Sequence, residues 1–231
     1  MRELSYTLLS GIVGNLRTSD MHVNYLRSAE SFRKMSGLTS IVQAAAGEPT
    51  AAHSAQAAVS EGDPVTSFTM NVRGTLVAGS FWEVDFRDGD EVQVVGYEQG
   101  HIFVAIAVVD AKQEKIWMQP HCERGTLAKK YHLLKCCGYA FIGLYVFEIL
   151  LGFFTGFPMW FVLVCSTFMN PIILFVTVGL SWKDFMVFSK EMNRVGKALG
   201  IAEPEKIDLF KNTRNLRTSG KPNLPMGVYY L

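Results

Sequence analysis

Residues 136–182, from Cys136 to Trp182, form a run of 47 positions with a single formal charge, Glu148. One membrane-spanning helix needs about 20 apolar residues. The run therefore holds two helices and a turn. Gly152, Thr155, Gly156 and Pro158 interrupt it near the middle, and Gly152, Gly156 and Pro158 are the expected turn residues. The chain reads as an integral membrane protein built on a helical hairpin, so its function has to operate from a bilayer.

The flanks set an orientation. Arg124, Lys129, Lys130 and Lys135 precede the first span, and Lys183, Lys190, Arg194 and Lys197 follow the second. The connector, about Thr155 to Met159, has neither Lys nor Arg. The positive-inside rule places both flanks in the cytoplasm and the connector outside. No apolar stretch follows the basic start at Arg2, so no secretory signal is expected. The expected location is the inner, plasma membrane, with two passes and both termini cytoplasmic.

The whole-chain charge of +1 gives no footprint for nucleic acid. The positive charge is local and juxtamembrane, which suits an anionic lipid surface. Cys122, Cys136, Cys137 and Cys165 have no metal-finger spacing and read as free cytoplasmic thiols. His121 and Cys122 are adjacent, with His101 and His132 not far away in sequence, but adjacency is not ligand spacing, and a structural turn next to the membrane is the better reading. No metal and no cofactor is expected.

Before the hairpin, residues 1–130 read as a β-rich domain with an Ala-rich insertion at about 36–64. Residues 4–16 mix β-branched and aliphatic residues with glycine and predict a strand, bent at Gly11 or Gly14. Asp20 is placed to cap a helix over about Met21 to Met35. Residues 41–62 read as a small-residue linker or loose helix, with membrane insertion or packing on the hairpin as the sharper alternative. From Thr66 the period becomes two. Phe68, Met70 and Val72 alternate with Thr69, Asn71 and Arg73. Segments near 75–86, 91–97, 101–109 and 115–119 follow, separated by turns such as Arg87-Asp88-Gly89-Asp90 and Glu98-Gln99-Gly100. Five short strands at this spacing predict a small antiparallel OB-like or SH3-like barrel. Phe68, Met70, Val92, Val94, Phe103 and some of Val104 to Val108 are the predicted core.

After the hairpin, residues 182–231 predict a cytoplasmic amphipathic helix and tail. Phe185, Phe188, Met192, Val195 and Leu199 share one face. That face either packs on the barrel or lies in the membrane interface beside Trp182. The closing Val-Tyr-Tyr-Leu could add an edge strand or dock on the barrel. The fold class is thus an α+β membrane protein: a small β domain, a two-helix transmembrane hairpin and a C-terminal amphipathic helix.

Catalytic signatures are absent from the sequence. There is no phosphate-binding glycine loop, no Gly-x-Ser-x-Gly and no His-Glu-x-x-His, and no catalytic residue is nominated. Glu148 sits near the middle of the first span, where a carboxyl is costly and tends to be functional. It either lines a polar path together with Asn170 or bonds a neighbouring helix.

Several stretches carry a resemblance. They are Gly79-Ser80-Phe81-Trp82-Glu83-Val84-Asp85-Phe86, Asp88-Gly89-Asp90-Glu91-Val92, Pro120-His121-Cys122-Glu123-Arg124-Gly125, and Ala198-Leu199-Gly200-Ile201 with Pro204-Glu205-Lys206-Ile207-Asp208-Leu209. Together with Leu9-Ser10-Gly11 they resemble a bacterial type VI secretion system effector family over most of the chain. Trp82, Pro120, His121, Cys122, Arg124 and Gly125 are the most specific matches. The Ala-rich segment departs from the family, whose members carry it in a more apolar form.

The resemblance implies a non-enzymatic effector, a toxin that oligomerises in the bacterial inner membrane and permeabilises it, with Glu148 and Asn170 as its polar lining. The alternative is a resident inner-membrane immunity or adaptor protein. Its β domain would bind a type VI secretion or immunity partner by an edge strand or by the face bearing Trp82 and Trp117.

Overall fold

A 17-residue strand is too long to stay flat in one small sheet, and the first strand bends. In this computed structural model, which describes residues 6–23, 63–110, 112, 114–156 and 158–231, β1 runs Thr7–Val23. Its pairing is broken by a bulge between Gly14 and Arg17, with Asn15 at φ 53°. The first part, Thr7 to Ile12, pairs with β4 (Glu91–Gln99), and the second, Val13 to Val23, with β2 (Asp63–Val72). A bulge bends a strand and raises its twist, so one strand serves both sides of a curved sheet. The predicted helix over Met21 to Met35 is overturned at its start. Met21, His22 and Val23 are strand, paired with Val65, Pro64 and Asp63. The remainder of that helix and the Ala-rich segment 41–62 lie outside the described residues.

β3 (Thr75–Phe81) follows β2 in a tight hairpin, and β5 (Ile102–Asp110) follows β4. Leu76, Val77 and Ala78 pair in parallel with Ile102, Phe103 and Val104. That pairing closes a five-stranded barrel in the ring order β1-β2-β3-β5-β4. β6 (Lys115–Met118) and β7 (Val228–Tyr230) extend the sheet beyond β5. The closing Val-Tyr-Tyr is therefore a strand, as one of the two readings of the tail has it.

The barrel interior is filled by Phe68, Met70, Phe81, Phe86, Val92, Val94, Phe103 and Val108. Asp85 accepts a 2.5 Å bond from the Trp117 indole at its margin. A second core lies outside the barrel. It joins Val104, Ile106, Val109, Ile116 and Met118 to Phe188, Met192 and Val195 of a helix. β5 is thus buried on both faces, which explains why 102–109 is a continuous apolar run rather than an alternating one.

Two long helices follow β6. α1 spans Thr126–Thr155, 30 residues and about 45 Å at 1.5 Å per residue. α2 spans Met159–Ala198 without interruption, 40 residues. The separate C-terminal helix predicted from Trp182 is the second half of α2. Its Phe188, Met192 and Val195 pack on the barrel, which decides the stripe in favour of the barrel; the Phe185 side chain lies outside the described residues. A 3₁₀ turn at Pro204–Lys206 and α3 (Leu209–Thr218) complete the chain before β7.

α1 and the Met159–Gly179 part of α2 are long and apolar enough to cross a membrane. Their apolar side chains are mostly turned outward: Phe154 is 82% exposed and Phe175 81%. Core helices of soluble domains bury such residues.

Candidate functional site

The hairpin seam is made at three- and four-residue intervals. Val162, Ser166, Asn170, Leu174 and Val178 line it on α2, and Phe141, Tyr145, Glu148 and Gly152 on α1. Ser166 returns its hydroxyl to the Val162 carbonyl at 2.8 Å. Asn170, wholly buried, donates from Nδ2 to Glu148 Oε2 at 2.8 Å. The structure thus brings the two predicted polar residues together, but inside one hairpin and bonded to each other. Of the three expected turn residues, Gly156 caps α1 at φ 71° and Pro158 opens α2. Gly152 is not in the turn. It lies in α1 against Val162, whose Cγ2 would stand 2.7 Å from a Cβ added there. A small residue is what permits this close approach of the helices.

The Pro120-His121-Cys122-Glu123-Arg124-Gly125 stretch forms the junction between barrel, hairpin and C-terminal segment. His121, at φ 67°, faces Asp63 Oδ2 across 2.8 Å and packs against the rings of Trp82 and Phe188. Cys122 is fully buried in the outer core, and burial pushes its thiol well above the usual range, with Glu191 and Glu123 adding to the shift. Arg124 reaches Asp208 Oδ2 at 3.2 Å and Glu123 Oε1 at 3.5 Å, and its guanidinium lies 4.8 Å from the Phe210 ring centre. Gly125 passes so close to the 204–205 backbone that a Cβ would meet the Pro204 carbonyl oxygen at 2.2 Å.

Gly125 brings no side chain to cap α1, so the cap comes from α2. Asn193 Oδ1 accepts the Thr126 N–H at 3.1 Å, and Asn193 Nδ2 donates to the Thr126 hydroxyl at 2.9 Å. On the far side of α2, the Tyr6 hydroxyl donates to Glu191, which also pairs with Arg194 at 2.6 Å. Burial, followed by the Glu191 charge, raises the Tyr6 phenol strongly; the same two causes push Tyr97 up to about 12.

Beside the junction lies an open cleft of about 1730 Å³. One wall is the first four turns of α1, another is α3, and the tail at 223–229 with Trp82 and His121 completes the lining. Both carboxylates lining it, Glu123 and Asp208, are engaged by Arg124. Lys135, Lys211, Arg214 and Arg217 also line it, and none has a carboxylate partner among the described residues. Asp208 also caps α3 by accepting the Lys211 N–H at 3.0 Å.

Among the described residues no group of three or more His, Cys, Asp or Glu could hold a metal. No family model, curated protein or solved structure matches the chain. Geometry alone has to carry its function.

A partner face formed by Trp82 and Trp117 together does not exist. Trp117 is 5% exposed and ends in the barrel core, while Trp82 packs under Gly227 and His121. The sheet edge at β7 is also covered in part, because the Tyr230 N–H donates to Thr213 Oγ1 of α3 at 2.9 Å. The sequence marks Arg124. It gives no sign of Asp63, Thr126 and Asn193, which have ordinary local contexts and acquire a role only when distant segments meet.

Proposed function

We propose that this protein is a two-pass protein of the bacterial inner membrane, carrying an OB-like barrel on the cytoplasmic side and acting by binding rather than catalysis in a type VI secretion context. The observation that carries this reading is the contrast between the two apolar surfaces. The barrel's two cores are sealed, whereas the hairpin's large apolar side chains face outward along both helices. Water tolerates no contiguous apolar surface of that extent on a monomer. A bilayer does. Lysine at the outer flanks and none in the connector supports cytoplasmic termini. The ring order, with β1 shared between both sides, supports a five-stranded Greek-key barrel of the OB kind.

The test is resistance to alkaline carbonate extraction, combined with reporters fused before Met1 and after Leu231. Both reporters are expected to be active only in their cytoplasmic form. A periplasmically active fusion at either end would refute the hairpin topology.

The permeabilising reading rests on the same outward apolar surface. A two-pass monomer cannot enclose a pore, and the open faces of the hairpin are where copies would associate. The Glu148–Asn170 bond argues against those two residues as the lining, because they are bonded to each other inside a single hairpin. Expression in a susceptible bacterium with the membrane potential recorded separates the readings. Depolarisation supports the toxin. An unchanged potential, with protection against a neighbouring toxin, supports the resident immunity or adaptor protein.

A further inference from the structure

We propose that the cleft between α1 and α3 is a binding site for the phosphate headgroup of an anionic phospholipid. The inference rests on the membrane reading above and deepens it. Three observations lead to it. The first is charge: Lys135, Lys211, Arg214 and Arg217 line the cleft without carboxylate partners among the described residues, and the two carboxylates present are held by Arg124. The second is height. The α1 wall extends from Leu127 to Tyr139, and the apolar run of that helix begins at Cys136. Exposed Tyr131 and Tyr139 stand on this wall, where aromatic side chains mark a headgroup layer. The third is shape. At about 1730 Å³ and open to one side, the cleft exceeds the 300–1,000 Å³ typical of an enclosed small-molecule site. A lipid whose tails stay in the bilayer needs an opening of that kind.

Arginine binds phosphate oxygens in a fixed fork, and lysine acts as a point charge. Arg214 and Arg217 stand three residues apart on α3 and so share a face, with Lys211 a turn before them. Lys135 answers from α1, its ammonium 5.7 Å from the Tyr139 ring centre. The two walls thus present cations to the same space from elements that are far apart in sequence.

The experiment uses the full chain in vesicles of phosphatidylcholine, with or without phosphatidylglycerol. After mild detergent extraction, the lipid retained per protein is counted by mass spectrometry. The chain is expected to retain phosphatidylglycerol in preference to phosphatidylcholine. Each cation near a membrane surface is worth about fivefold in affinity, so the variant Lys211→Gln/Arg214→Gln/Arg217→Gln should lose that preference by on the order of a hundredfold. The matched variant Arg17→Gln/Arg73→Gln/Arg87→Gln removes the same charge from the barrel surface and should keep it. Equal retention of both lipids, equal loss in the two variants, or displacement of the lipid by inorganic phosphate alone would each overturn the site. Carbonate extraction of the same preparations separates the two failures. A chain that inserts without lipid preference refutes only the cleft, and a chain that does not insert refutes the membrane reading with it.

Discussion

Asn170 gives an N–H to Glu148 Oε2 at 2.8 Å across the hairpin, while its own Oδ1 is buried without a partner among the described residues. A buried acceptor left empty is a cost that a nearby donor would relieve. Gln at position 148 brings such a donor. The Glu148→Gln protein should therefore be at least as stable as the original against unfolding in sodium dodecyl sulfate. Glu148→Leu and Asn170→Leu should each lose about 1 kcal/mol, the scale of interhelical hydrogen bonds in membranes. The double variant should lose less than the two losses added. If Gln were as damaging as Leu, the bond would not be what holds these helices.

The α1 cap predicts a graded series. Asn193→Ala removes both the acceptor for the Thr126 N–H and the donor to its hydroxyl, and should cost about 1 kcal/mol. Asn193→Asp keeps the acceptor and should recover most of that loss. Thermal melts of the detergent-solubilised protein report the order; equal melting of the Ala and Asp variants would contradict it.

Gly152→Ala should push α1 away from α2, because the new Cβ meets Val162 at 2.7 Å. Val162→Ala opens space opposite and should rescue it. Sodium dodecyl sulfate unfolding of the single and double variants reads the compensation, and a double variant worse than Gly152→Ala alone would refute the contact.

Thiol labelling separates two environments. Cys122 is fully buried and its thiol is pushed up by that burial, so a maleimide should leave it unmodified until the barrel unfolds. Cys165 is exposed on the outer face of the hairpin. In vesicles a water-soluble maleimide should not reach it. In sodium dodecyl sulfate it should react at once. Rapid labelling of Cys165 in intact vesicles would place that face in water.

Alkaline pH should loosen the junction between barrel and α2. Tyr97 rises from an unfolded value of about 10 to about 12, chiefly by burial and then by the Glu191 charge, and Tyr6 rises for the same reasons. The folded state holds these protons more tightly than the unfolded one. Stability from them is intact below about pH 10 and falls as pH climbs toward 12. Tyr97→Phe should flatten that fall in a circular-dichroism titration. An unchanged profile would assign the alkaline loss elsewhere.

The barrel strands were legible because Phe68, Met70 and Val72 face inward by strict alternation and the turns carry Gly and Asp. β5 lost that alternation through its second buried face, yet its apolar content still marked it as core. The helix expected from Asp20 failed because local capping chemistry was outweighed by pairing of Met21, His22 and Val23 with β2. Composition alone makes Gly152 look like a turn residue. Its close packing on Val162 depends on a partner helix that local sequence does not reveal. The cleft was hidden for the same reason: Lys135 and Arg214 are nearly 80 positions apart, and their elements are brought side by side by the Arg124–Asp208 bridge and by the backbone bonds of Gly125 to Ile207 and Leu209 to Glu123.

The outer core imposes an order of events on synthesis. β1 to β5 can close their ring as soon as residue 110 has emerged, but Val104, Ile106 and Val109 then stand uncovered on its surface. Their cover, Phe188, Met192 and Val195, comes from the ribosome only after both long helices have been made. At 5–20 residues per second the nascent chain displays that apolar face for several seconds. Until α2 returns to cover it, that face is the part of the nascent chain most open to misassociation.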